Sequence, residues 1–384
     1  MPTQLIREAQ DILGGHARTE PLTHNPKNGV TRGVWRVSAG DDRSAVVKVL
    51  TRRKETLAAW AASDDPGHWN YWRREAEVYE SGLPDAWKPY GITAPSLLAS
   101  VQRADGDVAL WLEDVRGEPA TAWPTPRHGR LAHALGRAHG APDAPAPGDS
   151  PWLSRRFLRG YITKEPGHGL LDDDAAWRQP LVRDHFPAGL REAMTALHRD
   201  RAWFLQIMEA LPRALSHLDL WPANALSGSG GQTVLLDWAF TGDGALGEDI
   251  GNYIPDTVFD LFLPAAQLPV LEREMYGNYL AGLRHSGWRG DERLVRLGMC
   301  ASAVKYDWLT ELMLQRAGEE KQLGYGGAGT VPAELRYRER GATLAFLAGW
   351  AQEARDLAPR LGFPAPHRPP EGVRSDGQNP GGSV

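Results

Sequence analysis

The sequence predicts an α+β chain with two regions, a small antiparallel β-sheet with one helix followed by a larger, mainly helical region. Two observations carry this prediction. Two pairs of short β-prone segments, each pair joined by a turn containing Gly and Asp, lie within the first 113 residues. Beyond them, several long segments have apolar residues at helical spacing. Strands first and helices afterwards are typical of the α+β class.

The β-prone segments form two pairs. The first is Val34 to Ser38 and Ala45 to Leu50, joined by the sequence AGDD. The second is Leu97 to Arg103 and Val108 to Glu113, joined by ADGD. Runs of β-prone residues on either side of such a turn predict β-hairpins. Together the two hairpins predict a small antiparallel sheet.

Helices are predicted where apolar residues recur three or four positions apart and where Gly or Pro follows the segment. One such segment, His68 to Ser81, lies between the hairpins and ends before Gly82. The helical segments of the larger region are Arg127 to His139, Leu190 to Leu211, Leu268 to Leu283, Asp291 to Leu314 and Ala333 to Leu357. From Pro364 onward the Pro, Gly and Ser content rises, which predicts a disordered tail over residues 364–384.

Composition argues against several classes of partner. The net charge is −5 and no long Lys/Arg run is present, so nucleic acid is not expected as a partner, since its binding needs clustered cations. No apolar run is long enough to span a bilayer, so no membrane partner is expected. The single cysteine, Cys300, allows no internal disulfide, and the start of the chain lacks a signal-peptide pattern. We therefore expect a cytoplasmic protein without an obligatory protein partner.

One stretch carries the polar residues that indicate chemistry. Residues 216–224 read SHLDLWPAN, and the strand-like sequence TVLL at 233–236 is followed by Asp237. In phosphoryl-transfer enzymes the spacing His-x-Asp-x-x-x-x-Asn marks a catalytic loop, and an Asp that closes the next strand binds Mg²⁺. Asp219, Asn224 and Asp237 are therefore spaced to serve one reaction.

Phosphoryl transfer explains why these residue types are needed. The moving group carries charge on its oxygens, so the site needs Mg²⁺, which prefers oxygen ligands from one or two side chains plus the phosphates. Asn224 and Asp237 supply such oxygens. Asp219 lies on the same loop and is placed to orient an acceptor hydroxyl and accept its proton. We interpret His217 as a residue that braces the loop.

Through the motifs HLDLWPAN, VLLDWAF and GEDIGNY, the chain resembles the aminoglycoside phosphotransferase and choline kinase-like family, small-molecule kinases with the protein-kinase-like fold. The family more often reads His-Gly-Asp in the first motif, so Leu218 is a departure in loop detail. The resemblance implies ATP or GTP as phosphate donor, Mg²⁺, and a small-molecule hydroxyl as acceptor. It also implies a nucleotide-binding lobe over 1–112, a hinge over 113–117, and a helical lobe over 118–363 with the catalytic loop and acceptor site.

Further residues take roles on the nucleotide side. Lys48, on the second strand of the first hairpin, is expected to face the phosphates. By resemblance, Glu75 on the following helix pairs with this lysine, with Glu77 as the alternative. Gly29 and Gly33 permit close approach of the backbone to phosphate, although the full glycine-rich signature is absent.

The resemblance also assigns two segments flanking the cleft. It places Glu113 and Val115 in the hinge, whose backbone groups bind the purine edge. Asp249, in the sequence GEDIG, is expected to cap the helix that follows or to brace the catalytic loop.

The acceptor is encoded less directly than the catalytic residues. Flat aromatic surfaces suit sugar or base rings, and four tryptophans lie in or near segments that line the expected cleft. They are Trp152, Trp177, Trp221 and Trp238. Three acidic residues after the metal-ligand strand suit a cationic acceptor, while three arginines leave a neutral or acidic acceptor open. The acidic residues are Asp243, Glu248 and Asp256, and the arginines are Arg155, Arg156 and Arg159.

These observations leave three functions to compare. The leading one is phosphorylation of a sugar-containing antibiotic, of aminoglycoside or nucleoside type, as a resistance or self-protection reaction. The alternative is a metabolic kinase acting on choline, an amino alcohol or a sugar. A nucleotide-binding pseudokinase scaffold is the third, and the presence of Lys48, Asp219, Asn224 and Asp237 argues against it.

Overall fold

The five-stranded sheet of the first region carries the residues that face the helical region. A computed structural model describes residues 2–40, 43–145, 150–162, 169–317 and 331–366. Residues 41–42 of the first predicted turn, and residues 367–384 of the predicted tail, lie outside the described residues. The predicted boundaries at 112, 117 and 363 stay predictions.

The sheet has strand order β1-β2-β3-β6-β5, and all neighbouring strands are antiparallel. Its strands are β1 (Ala17–Pro21), β2 (Thr31–Ala39), β3 (Arg43–Leu50), β5 (Leu97–Gln102) and β6 (Val108–Glu113), while β4 (Ile92–Thr93) lies outside this sheet. Both predicted hairpins are present, as the pairs β2–β3 and β5–β6. Val47 and Val49, two positions apart on β3 and so on the same face of the strand, lie in a core under the sheet.

A second helix accompanies the sheet, which corrects the expectation of one helix. Helix α1 (Pro2–Ile12) buries Leu5 and Ala9, one turn apart, against the valines of the sheet. Glu8 of the same helix accepts hydrogen bonds from Arg103 at 2.8 Å and from the indole of Trp111 at 3.1 Å. The helical spacing was visible in the sequence, but its short length made it a weak signal.

Helix α2 (Arg74–Glu80) is shorter than predicted and begins six residues later. The preceding residues form turns, because the side chain of Asn70 donates to the backbone carbonyls of Trp60 and Ala61, both at 3.0 Å. Such side-chain bonds to the backbone compete with helix formation. The helix ends as predicted, with Gly82 in the left-handed conformation at φ = 70°.

The rest of the chain is mainly helical. Its helices are α3 (Thr125–Gly140), α4 (Phe157–Ile162), α5 (Asp174–Trp177), α6 (Pro180–His185), α7 (Leu190–Arg199), α8 (Arg201–Ala210), α9 (Glu248–Phe259), α10 (Leu268–His285), α11 (Glu292–Ala301), α12 (Asp307–Arg316) and α13 (Ala333–Arg360). Among the described residues, no helix is both long enough and apolar enough to cross a lipid bilayer.

Two predicted helices are each interrupted. The segment predicted as one helix from Leu190 is broken at Asp200, whose carboxylate accepts from Arg355 on α13 at 2.9 Å. The segment predicted from Asp291 is divided by a 3₁₀ turn over Ser302–Tyr306. A contact with a distant part of the chain accompanies the second interruption too, because the hydroxyl of Tyr306 donates to the backbone oxygen of Asn252 at 2.9 Å.

Four short strands frame the predicted catalytic stretch. They are β7 (Arg213–Ser216), β8 (Ala225–Ser227), β9 (Thr233–Leu235) and β10 (Gly242–Ala245). β7 pairs with β10, and β8 pairs with β9, both antiparallel. β4 pairs with β9 in parallel, so the segment between α2 and the second hairpin is hydrogen-bonded to the catalytic region.

The contact between α1 and the sheet generates a stability prediction. Replacing Glu8 by Ala leaves the fully buried guanidinium of Arg103 without its bidentate partner. Removing one partner of a buried ion pair typically costs 3 to 5 kcal/mol, so we expect Glu8→Ala to lower the free energy of unfolding by about 3 kcal/mol. Urea unfolding measures this. The control is Asp11→Ala, an exposed carboxylate on the same helix, and equal losses in both variants would contradict the expectation.

Candidate active site

The loop after β7 brings the predicted polar residues to one place. It begins at His217, and a 3₁₀ turn over Pro222–Asn224 leads into β8. Leu218, where the resembled family more often has Gly, has φ = 63°. A left-handed conformation costs a non-glycine residue roughly 1 to 2 kcal/mol. Here burial of the leucine side chain beside Trp60 and Phe240 offsets that cost.

Asp249 braces this loop from below. It lies in the first turn of α9, and its two carboxylate oxygens accept from the backbone N–H groups of His217 at 2.9 Å and Leu218 at 2.8 Å. Burial raises the pKa of Asp249 to about 6, and the two hydrogen bonds oppose the shift. These contacts hold the left-handed residue in place, which fits the bracing role predicted for Asp249.

The ring of His217 is also part of the support. Its Nε2 lies 3.0 Å from the backbone oxygen of Leu236, and because a carbonyl only accepts, Nε2 is the donor. Burial lowers the pKa of His217 to about 4, so the ring is neutral at neutral pH. It packs edge-on against Trp238 at 5.0 Å. This geometry fits bracing rather than proton transfer.

Lys48 joins the sheet to the catalytic region. Its Nζ lies 2.6 Å from Oε2 of Glu75 on α2 and 2.7 Å from Oδ1 of Asp237 after β9. Burial alone would lower the pKa of Lys48, but the carboxylates of Asp237 and Glu75 outweigh it and raise the pKa. Glu77, the alternative partner, points away and pairs with Arg73 at 3.0 Å. The structure therefore brings Glu75, and not Glu77, to Lys48.

The two carboxylates around Lys48 differ in environment. Glu75 is 2 % exposed, and burial raises its pKa to about 7 although Lys48 opposes the shift. The side chain of Asp237 is 40 % exposed, and Lys48 lowers its pKa against the effect of burial. Asp237 also has a left-handed backbone at φ = 55°. One carboxylate thus anchors the lysine from the protein interior, while the other is partly exposed to solvent.

Asp219 and Asn224 are in direct contact. Nδ2 of Asn224 donates to the backbone oxygen of Asp219 at 2.9 Å and to its Oδ2 at 3.1 Å. Burial, and next the charge of Asp237, raise the pKa of Asp219 to about 7, while Lys305 and Lys48 oppose the shift. Because the amide nitrogen faces Asp219, the amide oxygen of Asn224 is directed elsewhere.

A hard divalent cation fits the donors at this place. Asn224 offers an amide oxygen, and Asp237 offers the carboxylate oxygen that Lys48 does not hold. Mg²⁺ usually takes one or two protein oxygens and completes its shell with water and phosphates. Within the described ranges no cluster of three or more His, Cys, Asp or Glu side chains could hold a metal ion by itself. These donors therefore suit a cation that arrives with phosphate.

Gly29 and Gly33 accommodate the packing of the chain itself. A Cβ atom on Gly29 would lie 2.6 Å from the backbone oxygen of Trp60, and one on Gly33 would overlap the ring of Trp35. The absence of a side chain is thus required by neighbouring protein atoms at both positions. A contact with phosphate at these glycines stays a prediction.

The predicted hinge has an anchor that sequence reasoning missed. The carboxylate of Asp114 is 3 % exposed and binds Arg36 of β2 at 3.1 Å and Ser44 of β3 at 2.8 Å. On either side of it, Glu113 accepts at its carboxylate from the hydroxyl of Ser96, and the N–H of Val115 donates to the oxygen of Glu113. No short-range pattern distinguishes Asp114 from a surface aspartate.

The acidic residues predicted to attract a cationic acceptor already have partners. Glu248 is buried and accepts from the backbone N–H of Ala245, and Asp243 binds Arg213 at 2.8 Å. Asp256 lies 3.5 Å from Lys305, a buried lysine that sequence reasoning missed. The negative charge of this region is therefore largely balanced within the protein.

The predicted arginines and tryptophans are also partly engaged. Arg159 binds Glu209 at 2.6 Å, and Arg156 lies 4.0 Å from the same carboxylate. Trp238 is fully buried against Trp87, so it packs in the core and does not line a cleft. The other three predicted tryptophans are partly exposed; they are Trp152, Trp177 and Trp221.

The buried carboxylate of Glu248 generates a pH prediction. Burial raises the pKa of Glu248 in the folded protein to about 7, above its value in the unfolded chain. The folded state therefore binds the proton more tightly, and this contribution to the free energy of unfolding is complete below the unfolded pKa. It is lost as the pH rises through 7. Glu248→Gln does not titrate and keeps an oxygen for Ala245. Between pH 5 and pH 8 we expect the free energy of unfolding to fall less in the variant than in wild type, by up to about 3 kcal/mol.

Urea unfolding across this pH range measures the difference between wild type and variant. The control is Glu334→Gln, an exposed residue in the first turn of α13, which should leave the slope unchanged. Equal slopes for wild type and Glu248→Gln would argue against a buried, titrating Glu248.

Known structures share this architecture. The choline kinase from Cryptosporidium parvum Iowa II has a TM-score of 0.51 at 12% identity, over 94% of this chain and 99% of the other. A thermostable mutant of the aminoglycoside phosphotransferase APH(4)-Ia, in ternary complex with ADP and hygromycin B, has a TM-score of 0.50 at 12% identity, over 91% and 99%. At this identity the likeness shows the fold, so the predicted protein-kinase-like fold is confirmed.

The sequence comparisons give the family. No curated protein sequence matches the chain. Residues 25–284, more than half of the chain, match the phosphotransferase enzyme family, in agreement with the resemblance carried by the catalytic motifs. The matched range includes β3 with Lys48, α2, the catalytic loop and Asp237. The chain belongs to the phosphotransferase enzyme family.

Proposed function

We propose that this chain is a Mg²⁺-dependent kinase that transfers the γ-phosphate of ATP or GTP to a hydroxyl group of a small molecule. The observation that carries the proposal is the position of Lys48 between Glu75 and Asp237, with Asp219 and Asn224 on the adjoining loop. A cation, an oxygen-donor pair and a carboxylate at one place are the groups that phosphoryl transfer needs.

In the proposed reaction, the acceptor oxygen forms a bond to the γ-phosphorus while the bond from phosphorus to the leaving nucleoside diphosphate breaks. Asp219 orients the acceptor hydroxyl and takes its proton. Lys48, held by Glu75, neutralises phosphate oxygens, and Asn224 and Asp237 hold Mg²⁺. When bound, Mg²⁺ supplies further neutralisation of the charge on the phosphates.

The nucleotide is proposed to bind between the sheet and the catalytic loop. Gly29 and Gly33 would lie near the phosphates, and the backbone of Glu113 and Val115 would meet the purine edge. The choice between ATP and GTP stays open, because backbone groups read both purines. A cytoplasmic location is proposed, where nucleotide is supplied and the buried, free thiol of Cys300 stays reduced.

For the acceptor we propose a sugar-containing antibiotic of aminoglycoside or nucleoside type, with resistance or self-protection as the outcome. The partly exposed Trp221, 6.3 Å from the ring of Phe262, offers a flat surface suited to a sugar or base ring. The internal pairing of Asp243 and Asp256 removes the charge argument for a polycation. Among these antibiotics the charges therefore favour a nucleoside type over an aminoglycoside.

The direct test is a panel of acceptors incubated with the protein, Mg²⁺ and either ATP or GTP, read by mass spectrometry. The panel contains aminoglycoside and nucleoside antibiotics, simple sugars, choline and amino alcohols. A phosphorylated antibiotic supports the proposal, and a phosphorylated choline, amino alcohol or simple sugar would move the assignment to a metabolic kinase. Nucleotide binding without any product would favour a scaffold.

The first variant tests the role of Asp219. Asp219→Asn keeps a side chain of the same shape but no longer accepts a proton, so we expect kcat to fall by about 10² to 10⁴, while the affinity for nucleotide is retained. The exposed Asp85→Asn serves as the control for handling and folding. A fully active Asp219→Asn enzyme would contradict the role of Asp219 as the group that accepts the proton.

A second pair of variants tests the ion pair on α2. Glu75→Gln removes the charge that holds Lys48, and a misplaced catalytic group can cost about 10²-fold, so we expect a loss of that order in kcat/KM for the nucleotide. Glu77→Gln makes the same change on the opposite face of the same helix and should leave kcat/KM nearly unchanged. Equal effects of the two changes, measured by steady-state kinetics, would rule out a specific role for Glu75.

A further inference from the structure

Arg74, the residue before Glu75, has an unusual position for a charged side chain. It is fully buried, and its guanidinium donates five hydrogen bonds, all to backbone carbonyls. Placing a cation in the interior is costly unless its donors are satisfied. A guanidinium has five N–H donors in a fixed fork, so an arginine can meet this number of acceptors where a lysine cannot.

Three of the five bonds hold the start of α2. They go to the carbonyls of Pro66 at 2.9 Å, His68 at 2.6 Å and Trp69 at 2.9 Å, in the turns that precede the helix. The helix has only seven residues and no side-chain hydrogen bond at its N-cap. Arg74 therefore ties the preceding turns to the first residue of α2, although it does so by donating to carbonyls and not by accepting from helix N–H groups as a capping side chain does.

The remaining two bonds reach the helical region. One goes to the carbonyl of Trp152 at 2.7 Å, and the other goes to the carbonyl of Ala239 at 3.1 Å. Ala239 is two residues after Asp237, so the guanidinium connects the backbone that carries Glu75 with the backbone that carries Asp237. These are the two carboxylates between which Lys48 lies.

We propose that Arg74 is a positioning residue, which fixes the separation between Glu75 and Asp237 and thereby holds Lys48 ready for the phosphates of the nucleotide. This role rests on the proposed kinase function. Arg74 itself contacts no substrate; it acts through the ion pairs of Lys48. A salt bridge alone would not fix the separation, because a long lysine side chain can stay with one carboxylate while the other moves away.

The test combines Arg74→Lys with Glu75→Gln in a double-mutant cycle. Lysine keeps the charge but cannot bond all five carbonyls. The probes are MgATP and MgGTP, with the dissociation constant measured by calorimetry. We expect Arg74→Lys to weaken nucleotide binding roughly tenfold in the wild-type background and much less in the Glu75→Gln background, because coupled residues are not additive. Arg73→Lys, on the partly buried neighbour that pairs with Glu77 and Glu80 instead of the backbone, is the matched control.

Hydrogen exchange gives a readout that needs no nucleotide. Arg74→Lys should speed exchange of the amides of α2 and of residues 237–241, while the sheet amides of β2 and β3 keep their protection. Unchanged exchange, or an equal loss of affinity in both backgrounds, would overturn the role of Arg74. Arg74→Met is the second variant if the lysine variant does not fold. If wild type binds neither nucleotide while exchange still responds, the kinase proposal fails and the fixation by Arg74 stands.

Discussion

The site depends on one ammonium group held between two carboxylates from distant parts of the chain. Lys48 on β3 meets Glu75 from α2 and Asp237 from the end of β9, 189 residues further along the chain. A buried charge is stable only where its partners are in place, so the sheet, the short helix and the catalytic region must assemble together. Most other features near the site keep Lys48, Glu75 or Asp237 in position.

The catalytic region contains residues with strained backbone conformations, and buried hydrogen bonds hold the catalytic loop in place. Leu218 and Asp237 both adopt left-handed backbone conformations without being glycine. Asp249 fixes the loop by accepting two backbone N–H groups, and the neutral His217 ties the loop to Leu236. Strained residues of this kind persist only when their surroundings hold them. The buried carboxyl groups of Glu248 and Asp249 therefore hold nearby backbone N–H groups in place, and the burial of these groups lowers the stability of the protein at neutral pH.

Residues that local spacing brings together were predictable from the sequence. The spacing of Asp219, Asn224 and Asp237 was enough to predict where polar groups meet in the structure, and strand and helix patterns gave the antiparallel sheet and most helices. The catalytic and metal-binding roles of these residues stay predictions. Position on α2 alone did not decide between Glu75 and Glu77. Asp114 and Lys305 were missed because they pair with residues far away in the sequence, so no short window contains the signal. For Arg74 three acceptors are nearby, but the two that reach the helical region, Trp152 and Ala239, are likewise distant. The same reason explains the break at Asp200 and the internal pairing of the acidic residues.

The pairing of β4 with β9 has a mechanical consequence. β4 precedes the second hairpin in the chain, yet it is hydrogen-bonded to the catalytic region. The chain therefore leaves the sheet after β3 to reach β4, returns to the sheet at β5 and leaves it again after β6. The second hairpin therefore begins a few residues after a segment that is bound to the catalytic region. Displacement of this hairpin from the catalytic region is therefore limited by the short segment between β4 and β5, as long as β4 stays paired with β9.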